Sequence, residues 1–141
     1  MAHQLSPEII ARLRLLWLAS IDEVASLELQ RVSWLNFTNT NPHWSYIELV
    51  ECYFEQFELG KGYGFAVENG IVSASEAAAA ATFHTMFVAY EPPQGDNYNH
   101  EAILADPKWH AVSSAAAEAL ENILLLSFNN PTYLGRFRAE A

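Results

Sequence analysis

The chain has 141 residues, 51% of them hydrophobic, with 17 acidic against 7 basic side chains and a net charge of −10. That length suits a single domain burying about two-thirds of its unfolded surface, and the apolar content excludes a disordered tail. The charge argues against nucleic-acid backbones and anionic lipid surfaces, both of which select for Lys and Arg.

The acidity is concentrated in the middle, where residues 48–121 hold twelve acids and two bases. Cys52 is the single cysteine, so an intramolecular disulfide and a zinc site of several thiolates are both excluded. The apolar run 15–21 is too short to span a membrane. Arg12 and Arg14 precede it as in a signal peptide, but Asp22 and Glu23 follow with no small-residue cleavage site, so the expected compartment is the cytoplasm.

Ser6, Pro7 and Glu8 open the first helix as cap, first helical residue and favourable charge at the positive dipole end. Ile9, Leu13, Leu16 and Trp17 then share a face, and residues 20–23 are the expected place of a break, a kink or a second cap. The spacing predicts a second helix over 24–37, with Ile21, Val24, Ala25, Leu29, Val32 and Leu35 within about 140°. Glu28 intrudes on that stripe, and is expected to reach solvent or pair with Arg31. Residues 38–43 form a loop in which Pro42 stops helix continuation. Asn36-Phe37-Thr38 matches a glycosylation acceptor but, with no secretory signal, is read as chance.

The stretch from Ser45 predicts an amphipathic helix that stops at the glycines 60–64. Ser45 caps it and Gly60 suits a left-handed terminating residue. Glu48, Glu51, Glu55 and Glu58 fall within about 80° of one another, with Leu49, Val50, Tyr53, Phe54 and Phe57 opposite. Each like-charged neighbour pair costs roughly 0.2–0.5 kcal/mol. The glycines follow a helix C-terminus, whose negative end repels anions, so they are read as a turn rather than a phosphate cradle.

A short helix over 65–69 is closed by Gly70, and Ser73 with Glu76 fits a capping box. The next helix runs to about Tyr90, where Pro92 and Pro93 stop it. Its bulky face is Phe83, Met86, Phe87 and Tyr90. His84 lies on a minor apolar face and is expected to be a hydrogen-bonded core histidine. After an irregular stretch over 91–109, Asp106-Pro107 opens the last long helix, with Trp109, Val112, Ala116, Leu120, Ile123 and Leu124 on one face, ending near 129–131. No alternating strand pattern and no internal repeat is present. The prediction is an all-α, single-domain bundle of five or six helices over 1–141.

Two constellations bear on function. Asp96, His100, Glu101, Asp106 and His110 offer oxygen and imidazole donors that suit zinc, manganese or iron. Their spacing matches no metal signature, so no cofactor is expected. The glutamate stripe, flanked by the aromatic residues Trp44 and Tyr63, suits a cationic protein partner, with aromatic anchors inside a charged surface. In size, charge and helicity the chain is similar to small acidic, helical bacterial immunity proteins. That resemblance implies an inhibitor masking a basic patch through Glu48, Glu51, Glu55, Glu58, Trp44 and Tyr63. The alternatives are a small metal-dependent or hydrolytic enzyme built on 96–110, and a structural or regulatory subunit that homodimerises through surplus apolar surface.

Overall fold

A computed structural model describes residues 5–35, 45–55 and 58–126; Trp44, Phe57 and the expected end of the last helix lie outside them. The described residues form seven α-helices, five of them longer than seven residues, and no strand. They are α1 (Pro7–Ala25), α2 (Leu27–Trp34), α3 (Tyr46–Glu55), α4 (Gly64–Glu68), α5 (Ala74–Ala89), α6 (His100–Ala105) and α7 (Pro107–Leu126), with single 3₁₀ turns at Leu59–Lys61 and Pro93–Gly95. The all-α class is as the sequence predicts.

The helix starts follow local chemistry. The Ser6 hydroxyl accepts the Ile9 N–H at 3.2 Å, and Ser45 accepts that of Glu48 at 3.0 Å. At α5 the box is complete: Ser73 Oγ accepts the Glu76 N–H, and Glu76 Oε1 accepts the Ser73 N–H. α5 stops before Pro92-Pro93, and Asp106 caps α7 by accepting the Lys108 N–H at 3.0 Å.

Three expectations are corrected. α1 does not break at 20–23, because no Gly or Pro stands there and Ser20 returns its hydroxyl to the Trp17 carbonyl at 2.7 Å inside the helix. The break falls at Ser26, whose backbone is extended and whose side chain caps α2 through the Leu29 N–H. This turn re-aims α2. Its buried side is Gln30, Ser33 and Trp34, while Leu29, Val32 and Leu35 face outward, Val32 at 56% exposure. Glu28 does lie 3.9 Å from Arg31, both exposed. On α1, likewise, Trp17 is buried but Ile9 and Leu16 are exposed. Finally, the helix from Ser45 does not run on to Gly60. Glu58 takes the left-handed conformation (φ 58°), and the turn that follows drops Leu59 into the core. The left-handed position expected of Gly60 thus falls to Glu58, and Gly62, at φ 98°, closes the turn with a backbone that favours glycine.

One core joins the elements. α7 lies between α1 and α5, α3 packs on α1, and α2 bridges to α6. Trp109, Val112, Ala116, Leu120, Ile123 and Leu124 are all buried, as the spacing of α7 predicts. A guanidinium fork ties α1 to the start of α5: Arg14 Nη1 and Nη2 meet Glu76 Oε1 and Oε2, each at 2.7 Å, and Nη1 also donates to the Ile71 carbonyl at 2.8 Å. Paired and hydrogen-bonded, this ion pair is tolerated with the Glu76 side chain only 5% exposed. Among the described residues no helix is long and apolar enough to cross a membrane.

Candidate functional site

The acidic face of α3 is built by a four-residue repeat on its opposite side. Leu49 and Tyr53, one helical turn apart, are fully buried and fix the rotation of the helix. Glu51 and Glu55 are consequently exposed and Glu48 half-buried. Among the described residues no Lys or Arg pairs with Glu51 or Glu55. Glu58 has left the helix and sits 3.8 Å from Lys61, an exposed pair worth about 0–1 kcal/mol. The structure thus keeps Glu48, Glu51 and Glu55 on one face and sets Glu58 on the turn after it.

Tyr63 is half-buried. Its hydroxyl accepts the Trp17 indole N–H at 2.9 Å and lies 2.8 Å from the Tyr53 hydroxyl, which lies 2.8 Å from His84 Nδ1. The result is a chain of four side chains from α1, the turn before α4, α3 and α5. Its polarity follows from proton counting. The indole nitrogen can only donate. With Nδ1 of a neutral His84 as acceptor, Tyr53 donates to it and Tyr63 donates to Tyr53, and every proton is used. Burial pushes the Tyr63 phenol up to about 12 and Tyr53 well above its ordinary value, so both remain neutral at physiological pH. Burial lowers the His84 pKa below its usual 6.5. The sequence marks His84 as hydrogen-bonded; its partners come from remote segments and carry no local signal.

Four of the five candidate ligands over 96–110 have other partners. Asp96 Oδ1 accepts the Tyr98 N–H at 2.9 Å. His100 packs on the Trp34 ring at 5.3 Å and its Nε2 accepts the Tyr46 N–H at 3.4 Å. Desolvation lowers the His100 pKa, opposed by a hydrogen bond to the Trp34 backbone and by Asp96. Asp106 uses one oxygen for its cap and the other for the Tyr90 hydroxyl at 2.9 Å, and burial with that bond raises the Tyr90 pKa. His110 Nε2 lies 2.6 Å from the Leu104 carbonyl, so it is the donor. Glu101 is exposed in the first turn of α6. Among the described residues no three His, Cys, Asp or Glu side chains come together as metal ligands would. Cys52 is half-buried on α3, and the two histidines that α3 meets, His84 and His100, are bonded to the Tyr53 hydroxyl and the Tyr46 N–H.

Two further features escaped sequence reasoning. Gln30, fully buried, accepts the Trp109 indole N–H at 2.8 Å and donates to the carbonyls of Glu23 and Val24 at 2.8 and 2.9 Å. The signal that points towards it is Trp109 itself, since a buried indole N–H requires an acceptor. An open cleft of about 760 Å³ lies between the end of α5 and the start of α7, lined by Met86, Tyr90, Pro92, Pro93, Asp106 and Lys108 among others. No protein-family model matches the chain, and neither a curated protein nor a solved structure is detectably similar to it.

Proposed function

We propose that the chain is a protein-binding module of inhibitor or immunity type, which masks a basic surface of a partner protein with the outer face of α3. The observation that carries this reading is the pairing of exposed Glu51 and Glu55, unmatched by any described cation, with an inner face locked by Leu49 and Tyr53. A helix fixed on one side presents its charges without ordering them anew on binding, which favours affinity. The net charge of −10 steers a cationic partner towards the chain and repels acidic competitors. Glu48 and Glu58 extend the face at either end, while the Tyr63 hydroxyl is engaged by Trp17 and Tyr53.

The test is capture from a lysate of the native organism at low and high salt. It compares wild type with a folded variant carrying Gln at 48, 51, 55 and 58. The reading requires a basic protein that wild type retains at low salt, loses at high salt, and that the variant does not retain. Identical capture by both proteins refutes it.

A further inference from the structure

α3 meets α5 through rings. Tyr53 lies 5.3 Å from Phe83, 5.8 Å from His84 and 5.2 Å from Phe87, centroid to centroid, and Phe54 lies 5.9 Å from His84 and 4.8 Å from Phe87. The polar bond recorded across this contact is Tyr53 Oη to His84 Nδ1. We infer that His84 is an acid-sensitive latch on α3, in which proton uptake at Nδ1 reverses the hydrogen-bond chain and loosens the helix.

The argument is one of donors and acceptors. A protonated Nδ1 must donate to Tyr53. If Tyr53 then donates to Tyr63, the latter accepts two protons, one of them from Trp17, and its own proton has no acceptor among the described residues. If Tyr63 keeps donating to Tyr53, the stranded proton is that of Tyr53. Either way one hydroxyl is unsatisfied, that of fully buried Tyr53 or that of half-buried Tyr63 against fully buried Trp17. The groups recorded against the imidazole are Tyr53 and Phe54 of α3 and Tyr63 of the following turn. The residues one turn away on α5 are Ala80, Ala81, Phe87 and Val88. The titratable ones are the two phenols, which stay neutral, and burial is the cause recorded for the histidine's lowered pKa. Among the described residues no carboxylate is bonded to the ring to offset the imidazolium charge.

This inference concerns how α3 is held and stands whether or not its outer face binds a partner. The test is amide hydrogen exchange on the full chain at about pH 7.5 and 5.5, corrected for intrinsic rates, with the His84 ring nitrogens followed by NMR. The expected ring state at neutral pH is Nε2–H with bare Nδ1. For one proton taken up on opening, with an ordinary pKa of about 6.5 in the open state, the opening constant of α3 amides rises up to about tenfold between those values. α3 amides should also open more readily than those of α7, since the latch acts locally. His84→Asn, whose side-chain oxygen can accept from Tyr53 without titrating, should abolish the dependence. The latch is overturned by a proton on Nδ1 at neutral pH, by equal opening of α3 and α7, or by the same pH response in H84N. Should H84N fail to fold, the tautomer and titration of wild-type His84 decide the matter.

Discussion

Gln30→Leu removes three hydrogen bonds at nearly constant volume, and its expected effect can be built from the geometry. The Trp109 indole N–H loses its acceptor at 2.8 Å inside a site where both residues are fully buried, and an orphaned buried donor costs about 1–3 kcal/mol. The Val24 carbonyl, among the last acceptors of α1, loses its donor at 2.9 Å. The Glu23 carbonyl retains the Ser26 N–H at 3.2 Å and suffers least. The added apolar carbon of Leu returns part of the loss, so the net is about 2–4 kcal/mol, a large share of the about 5–15 kcal/mol typical of a domain. Trp109→Phe alone strands the Gln30 oxygen. The double variant strands neither group of that bond, so a cycle should show about 1–2 kcal/mol of coupling between the two positions. Urea unfolding followed by helical circular dichroism, with an unchanged slope against denaturant, measures all three proteins. A Gln30→Leu variant within about 0.5 kcal/mol of wild type, or strict additivity with W109F, refutes the reasoning.

Arg14→Met should destabilise the fold by about 2–4 kcal/mol, read from the same urea titration, because it leaves the Glu76 carboxylate buried without its fork. Adding Glu76→Leu should restore part of that loss. Ser73→Ala should cost about 1 kcal/mol by removing the acceptor for the Glu76 N–H, a change visible as a lower melting temperature. Burial lowers the folded-state pKa of His84 and of His100, so the unfolded chain takes up those protons first. Their contribution is therefore intact above about pH 6.5 and is lost as pH falls below it, and thermal melts across that window should show the decline, flattened in H84N.

The sequence made local events readable. Ser6, Ser45, Ser73 with Glu76, and Asp106 announce helix starts through bonds spanning two or three residues, and Pro92-Pro93 announces a stop. The face of α7 was readable because its apolar period persists over five turns. α2 was misread because the period running from Ile21 to Leu35 crosses Ser26, where the chain turns and the phase resets. What decided its buried side was Trp109, 79 residues from Gln30. The hydrogen-bond chain through Tyr63 is not legible in the sequence because its three bonds span 46, 10 and 31 residues. Of the acidic site, Glu48, Glu51 and Glu55 were placed by the helical period alone. Glu58 lies off that face because it takes the left-handed conformation ahead of Gly60, with Leu59 drawn into the core.

The seating of α7 between α1 and α5 has a consequence for synthesis. The face of α1 that carries Trp17, Leu18, Ile21 and Val24 is completed by a helix whose first residue is Pro107. A ribosome adding about 5–20 residues per second needs roughly 4–16 s to make the intervening chain, and longer to bring α7 clear of the exit tunnel. For that interval the apolar face of α1, joined partway through by that of α5, must remain without the element that lies between them. Nascent chains truncated before residue 107 should therefore bind hydrophobic-segment chaperones, and those extended past α7 should let them go.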